Sequence, residues 1–168
     1  MQNRWSHRRL LAAAVSGLLL SGAALADDTA NLTVTATVAP TCKLTTGPTL
    51  SFNTLNPLAN NDAQGNIAWV CTNGFNTLIK LGGGGSGSIS ARTMKAGALV
   101  LPYQLYTDAA RTTIFGDGTA GGGSTVPVTG AGYATSANVV VYGRVTAAAA
   151  GAASVGSYSD TVLVTIAF

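Results

Sequence analysis

The sequence predicts an all-β chain folded as an immunoglobulin-like β-sandwich, and three observations support this class. Apolar residues recur at every second position, as they do in strands that bury one face. Clusters of glycine, asparagine, aspartate and proline separate these stretches at short intervals. No stretch shows sustained 3.6-residue apolar spacing with capping signals at its ends. Many short strands separated by such turns are typical of a sandwich.

The two clearest alternating segments lie near the two ends of the chain. In residues 30–38 one face carries Leu32, Val34, Ala36 and Val38, and threonines occupy the other face. In residues 160–168 one face carries Val162, Val164, Ile166 and Phe168. Each segment therefore predicts a strand with one buried side.

Shorter strands are predicted between these two segments. Their expected positions are 42–45, 49–52, 66–72, 76–81, 98–107, 112–115, 125–129 and 138–146. The alanine-rich residues 147–154 are expected to form a flexible connection or at most a helical turn.

The first 26 residues have the pattern of a secretory signal peptide. Arg4, Arg8 and Arg9 supply a positive start, "LLAAAVSGLLL" is the apolar stretch, and the tripeptide at 24–26 fits a small-residue cleavage site. An uncleaved membrane anchor is the alternative, but about 11 apolar residues fall short of the roughly 20 that span a bilayer. The sequence therefore predicts export and cleavage near Asp27.

Charge excludes several classes of partner once the signal is removed. The whole chain carries a formal net charge of +3, but three of its nine basic residues lie in the signal. Six basic residues then face six aspartates, so no basic field remains for nucleic acid or anionic lipid. We expect no nucleic-acid partner and no membrane insertion after cleavage.

The side chains of residues 27–168 leave little scope for catalysis. The only histidine, His7, lies in the signal, and the chain contains no glutamate. A Ser-His-Asp triad, a Cys-His pair and a histidine-ligated zinc site all need an imidazole. Two glycine-rich stretches, 82–87 and 116–121, match G-x-G-x-x-G but open no helix, so they are interpreted as loops. We expect no enzymatic activity, no catalytic residue, no metal and no cofactor.

Cys42 and Cys71 are the only cysteines. In an exported protein an even pair indicates a disulfide, with two free buried thiols as the alternative.

Four stretches together resemble the spore coat protein U domain family, which contains the subunits of archaic chaperone-usher pili. They are "APTCKL" with "AWVCTNG", "LPYQLYTDAARTTIFGDGT", "VVVYGRV" and the ending "GSYSDTVLVTIAF". The resemblance covers essentially all of residues 27–168. It implies a pilin-type fold, an incomplete immunoglobulin-like sandwich that is completed by a donor strand from another subunit.

The resemblance also implies a division of the chain and a set of partners. Residues 1–26 are expected to be the signal, 27–40 a donor-strand extension and 41–168 the pilin domain. The implied partners are identical or related subunits, a periplasmic chaperone and an outer-membrane usher. The implied route leads through the periplasm to a fibre on the cell surface.

Residue patterns fit the role of a donor strand independently. Leu32, Val34, Ala36 and Val38 alternate ahead of any turn, and Pro40, which cannot donate to a ladder, is a plausible stop. The alternative is that 30–38 pairs within its own domain as an ordinary first strand. At the other end, the family implies that Val162, Val164, Ile166 and Phe168 contact the chaperone, and an internal core strand is the alternative.

The function expected from the resemblance is therefore that of a structural pilus subunit assembled by donor-strand exchange. The alternatives are a secreted spore-coat or cell-surface matrix protein of the same family, or a carbohydrate-binding adhesin. Asp108, Arg111 and Asp160 are expected to have structural roles, in turn hydrogen bonds or an ion pair. The aromatic side chains expected to pack in the core or between sheets are Tyr103, Tyr106, Tyr142, Tyr158 and Trp69.

Overall fold

The computed structural model describes residues 27–45 and 47–168, so the predicted signal peptide at 1–26 lies outside the described residues. The chain divides after Ala36 into an N-terminal segment and a compact body, Thr37–Phe168. From Asp27 onward the described part of the N-terminal segment is exposed and contains neither helix nor strand.

Within the described residues the body contains nine strands and one short α-helix. The strands are β1 (Cys42–Leu44), β2 (Asn61–Cys71), β3 (Asn76–Leu81), β4 (Thr93–Ala96), β5 (Leu99–Pro102), β6 (Gln104–Tyr106), β7 (Val126–Thr129), β8 (Ala137–Val145) and β9 (Val164–Ala167). The helix is α1 (Ala147–Ala152), and Thr146 caps it by accepting a hydrogen bond from Ala149 N. No helix in this part of the chain is long and apolar enough to cross a membrane.

The strands form a sandwich with antiparallel strand pairing throughout. One sheet has the order β1-β2-β8-β6, a second has the order β7-β3-β9, and β4 and β5 form a separate hairpin. The longest pairing joins β2 and β8, from Asn61 opposite Val145 to Trp69 opposite Ala137. The all-β class and the pilin-like sandwich predicted from the sequence are confirmed.

The core lies between the inner faces of the two larger sheets. In β2 the inward residues alternate with more exposed ones, and Ile67 and Cys71 are fully buried. Ile79 and Leu81 of β3 face them from the second sheet. Period-two alternation therefore produces one continuous apolar core.

A disulfide fixes the start of the body. Cys42 in β1 lies directly opposite Cys71 in β2, and their sulfur atoms are bonded, as the sequence predicts. β1 has only three residues, so its pairing alone gives it little stability. The bond holds this short strand on the edge of the four-stranded sheet.

Removing this bond is expected to destabilise the body by about 3 to 4 kcal/mol. The cysteines are 29 residues apart, and the chain-entropy model gives this magnitude for a loop of that size. Urea unfolding of a Cys42→Ala/Cys71→Ala protein against the oxidised parent measures the difference. An equal unfolding midpoint in both proteins would contradict the prediction.

Three predicted strands are absent from the described residues. Residues 30–38 form no strand, and 49–52 and 112–115 also lie outside the regular strands. Ile114 and Phe115 make only isolated bridges, to Tyr106 and Ser124 respectively. An alternating sequence alone does not make a strand, because a strand also needs a neighbouring strand with which to form hydrogen bonds.

The predicted strand at 160–168 is shorter in the structure. Only β9 is regular, and Val162, Val164 and Ile166 are half-buried on the face that packs against the core. Phe168 does not belong to the buried face, because it lies beyond the last ladder pair and is 67% exposed. Its ring instead contacts Phe75 edge-on, with centroids 6.3 Å apart.

Candidate functional site

An apolar groove of about 790 Å³ opens into the body of the sandwich. One wall is the irregular segment 48–55, and the opposite wall is formed mainly by residues 153–160 together with Val162 and Val164. Core side chains complete the lining, namely Ile67, Leu81, Leu101, Leu105 and Val141. The groove therefore gives access to the hydrophobic core itself.

Two glycines allow the first wall to lie against the sheet. A Cβ on Gly65 would come within 2.6 Å of the Thr49 carbonyl oxygen, and a Cβ on Gly143 would lie 2.8 Å from Cζ of Phe52. Leu50 and Phe52 can pack on the core only because these positions lack side chains. The sequence predicts a strand at 49–52. In the structure this segment packs against the core but pairs with no neighbouring strand.

Replacing Gly65 with alanine is expected to destabilise the body by roughly 1 to 3 kcal/mol, the usual cost of overpacking. The added methyl group meets backbone rather than a flexible side chain, so the wall at Thr49 must move. Thermal unfolding measures the loss. Gly47→Ala is the control, because its Cβ meets nothing within 4 Å, and an equal loss in both variants would contradict the steric explanation.

The opposite wall ends in an open sheet edge. β9 pairs with β3 from Leu81 opposite Val164 to Leu78 opposite Ala167, and it is the last strand of its sheet. Along its other edge the backbone N–H and C=O groups have no strand partner within the described residues. An apolar groove beside an unpaired strand can receive an additional strand.

A polar pair lies among the residues that line the groove. The Tyr103 hydroxyl donates to Asp160 Oδ2 at 2.6 Å, and Asp160 Oδ1 accepts from Gly85 N at 2.7 Å. Burial, reinforced by the hydrogen bond to Asp160, holds the pKa of Tyr103 above its ordinary value. Tyr103 is therefore a neutral hydrogen-bond donor at physiological pH.

Arg92 is fully buried close to this pair. Its Nε and Nη2 donate to the Gly82 carbonyl at 3.0 and 2.8 Å, and Nη2 also donates to the Phe115 carbonyl at 2.8 Å. Nη1 donates to Gln104 Oε1 at 2.6 Å. Burial lowers the pKa of Arg92 from its usual value, while the negative charge of Asp160 acts in the opposite direction. The guanidinium thus joins three separate parts of the chain.

The predicted donor residues are strongly exposed. Leu32, Val34 and Val38 expose 87%, 81% and 79% of their surface, and Ala36 is also exposed. Immediately after them Thr41 is anchored to the body. Its N–H donates to Thr72 Oγ1 at 3.0 Å, and its carbonyl accepts from Thr72 N at 2.9 Å. The whole alternating segment, residues 30–38, therefore precedes these anchoring contacts.

The other polar residues selected from the sequence have structural roles. Asp108 accepts hydrogen bonds from Thr112 N and Thr113 N in a turn, and Arg111 forms an ion pair with Asp62 at 3.2 Å. Arg144 binds the same carboxylate through two hydrogen bonds. No group of three or more metal-binding side chains was found in the described parts of the chain.

The aromatic residues divide into two groups. Trp69, Tyr103 and Tyr158 pack in or against the core, as expected. Tyr106 and Tyr142 are paired across β6 and β8, but each follows a buried residue, Leu105 or Val141, and so lies on the outer face of the sheet. The expectation of core packing is wrong for these two residues.

Sequence reasoning missed most residues of the groove. The first wall, Arg92 and the inward residues of β5 and β6 were not recognised as parts of one site. Regular alternation, the only local signal available for Leu50 and Phe52, identifies a buried face but not the element opposite it.

Comparisons with known proteins agree with this fold. A family model described as the Spore Coat Protein U domain matches residues 28–165. A chain in the crystal structure of the CsuC–CsuE chaperone–tip adhesion subunit pre-assembly complex, from archaic chaperone-usher Csu pili of Acinetobacter baumannii, has a TM-score of 0.53 and 21% sequence identity. That likeness covers 79% of this chain and 40% of the Csu chain. This chain therefore spans less than half the length of the chain it matches. No match was found among curated proteins.

The identity to the Csu structure is low enough that the likeness establishes the fold alone. The family model is more informative, because it includes the exposed alternating segment, both cysteines and the first two residues of β9. The protein belongs to the spore coat protein U domain family.

Proposed function

We propose that this protein is a structural subunit of a surface pilus, assembled through the chaperone-usher pathway by donor-strand exchange. The observation that carries the proposal is the presence in one chain of two complementary features. One is an exposed segment with alternating apolar residues, and the other is an apolar groove beside the unpaired edge of β9. Residues 30–38 of one copy are the proposed occupant of the groove of the next.

The exposed segment and the open groove are both energetically unfavourable while no other chain covers them. Exposed apolar side chains and an unpaired strand edge each favour association with another chain. An inserted strand forms main-chain hydrogen bonds along β9 and places every second side chain among the apolar lining residues. One added strand therefore buries the apolar side chains of the donor segment and pairs the open edge of β9.

The expected gain is large enough to hold a fibre joint. Burying Leu32, Val34 and Val38 contributes on the order of 1.5 to 3 kcal/mol each, and each main-chain hydrogen bond adds roughly 1 kcal/mol. Part of this gain is offset by ordering the segment. The threonines of residues 30–38 would lie on the opposite, solvent-facing side of the added strand.

The proposed partners before assembly are a periplasmic chaperone and an outer-membrane usher. The similar Csu structure is described as a chaperone–subunit pre-assembly complex, which supports a chaperone partner. We assign the chaperone contact to Val162, Val164, Ile166 and Phe168, because these residues lie on or beside the open edge. Residues 27–40 form the donor extension in this proposal, and 41–168 form the receiving domain. The proposed site is an extracellular fibre reached through the periplasm.

A coat or matrix protein is the second candidate, favoured by the family's description as a spore coat domain. Both candidates are structural and require no catalytic site. Electron microscopy of producing cells separates them, because thin filaments support the pilus and a layer around spores supports the coat.

Deleting residues 27–38 tests the proposed exchange. We expect the shortened protein to bind its chaperone but to form no fibres, since it retains the groove and lacks the donor. Chaperone co-purification and fibre yield by electron microscopy are the two measurements. Deletion of residues 27–29 alone is the control, because these residues precede the alternating segment. Normal fibres from the longer deletion would overturn the proposal.

A further inference from the structure

The regular part of the acceptor edge is shorter than the segment proposed to pair with it. β9 has four residues, whereas the alternating donor segment at 30–38 has nine. At about 3.3 Å per residue, nine residues extend over roughly 30 Å. The chain before β9 must therefore be held straight by contacts other than a regular ladder if the whole donor is to pair.

Residues 159–163 are held by a series of individual contacts. Ser159 exchanges both main-chain hydrogen bonds with Lys95 of β4, at 2.9 and 3.0 Å. The Leu163 carbonyl accepts from Gly82 N at 2.9 Å. Between these two points the side chain of Asp160 provides the remaining attachment, because the described structure shows no ladder there.

The Asp160 carboxylate is enclosed by a closely fitted loop. Its Oδ1 accepts from Gly85 N at 2.7 Å and from Thr161 N at 2.8 Å, and its Oδ2 accepts from the Tyr103 hydroxyl at 2.6 Å. Gly84 has a φ of 65°, and a Cβ at this position would overlap the carboxylate. The glycine-rich loop at 82–87 therefore approaches Asp160 in a way that other residues could not.

We propose that Asp160 and Tyr103 form a positioning pair that keeps residues 159–163 aligned with β9, so that the groove accepts the whole donor segment. The inference rests on the proposed function. Both side chains line the groove. The pair connects the acceptor edge to Tyr103, which lies between the end of β5 and the start of β6. Loss of the pair loosens residues 160–162 between their anchors at Ser159 and Leu163, while β9 stays on β3 through its own ladder.

The test measures binding of a fluorescently labelled synthetic peptide, residues 27–40, to the purified protein. Asp160→Asn and Tyr103→Phe each remove part of the pair with little change in size. Asp108→Asn is the matched control, because Asp108 also accepts two backbone N–H bonds but does not line the groove. The Leu32→Asn and Val38→Asn peptides report separately on the two ends of the donor. Unfolding midpoints are recorded for every protein.

We expect Asp160→Asn and Tyr103→Phe to weaken peptide binding about tenfold, which corresponds to about 1.4 kcal/mol, and Asp108→Asn to leave binding unchanged. Double-mutant cycles should show coupling to only one end of the peptide, at Leu32 or at Val38. A merely destabilised protein would lose affinity equally at both ends.

Two sets of results overturn the inference, and they are distinguishable. Failure of the unmodified protein to bind the peptide overturns the proposed function together with the positioning pair. Binding by the unmodified protein, with no loss in the variants or with equal coupling at both ends, overturns the pair alone. The Tyr103→Phe protein keeps its aromatic packing, so it provides the answer if Asp160→Asn does not fold.

Discussion

A Val34→Asp protein is expected to fold normally and to form no fibres. Val34 is 81% exposed and lies outside the body, so a charged side chain there changes stability by no more than about 0.5 kcal/mol. In an assembled fibre the same side chain would enter an apolar groove without a partner, at a cost of several kcal/mol. Each 1.4 kcal/mol lost at the joint weakens it tenfold.

Thr35→Asp is the matched control for Val34→Asp. The two residues are adjacent and exposed, but their side chains point to opposite faces of an extended strand. Fibre yield by electron microscopy and the thermal unfolding midpoint are measured for both proteins. Equal fibre yields, or a loss of fibres only in the Thr35 variant, would contradict the assignment of the donor face.

The elements predicted best from the sequence are those in which alternation and turn signals agree. β3 was predicted with its observed bounds, and β8 within one residue at each end. Both strands have one face in the core, so buried and more exposed side chains alternate along their sequence with the two-residue period of a strand. The disulfide followed equally well from the exported context and the even number of cysteines.

The errors arise where pairing over long sequence distances overrides local preference. β2 begins at Asn61, five residues before its predicted start, because its polar first half is stabilised by the ladder to β8. The single strand predicted at 98–107 is divided into β5 and β6. Pro102 lacks an N–H donor and ends β5, after which β6 joins a different sheet.

The candidate site could be predicted only in part for the same reason. The proposed donor residues, and Val162 and Val164, follow from alternation within their own segments, 30–38 and 160–168. The first wall, residues 48–55, depends on Gly65, whose missing side chain lets that segment lie against the sheet. Arg92 is a charged residue in a polar, glycine-rich region, so nothing in the local sequence indicates that it is fully buried.

Replacing Arg92 with methionine is expected to destabilise the body by about 3 kcal/mol or more. Methionine fills much of the space, but it cannot donate to the carbonyl groups of Gly82 and Phe115 or to Gln104. A buried acceptor left without its donor costs about 1 to 3 kcal/mol, and two of these acceptors belong to the backbone and cannot be removed. The apolar side chain therefore does not compensate, as it can when both partners of a buried ion pair are replaced.

Arg144→Met is the control, because Arg144 makes two well-formed hydrogen bonds with Asp62 on the surface rather than in the core. A pair of this kind contributes at most about 1 kcal/mol. Urea unfolding of the two variants and the parent gives both differences. Similar small losses would mean that the carbonyls near Arg92 can be hydrated at little cost. A large loss confined to Arg92→Met would identify the buried guanidinium as the connection between the Gly82 loop, Phe115 and β6. The same Gly82 donates its N–H to Leu163, so this connection also supports the wall of the groove.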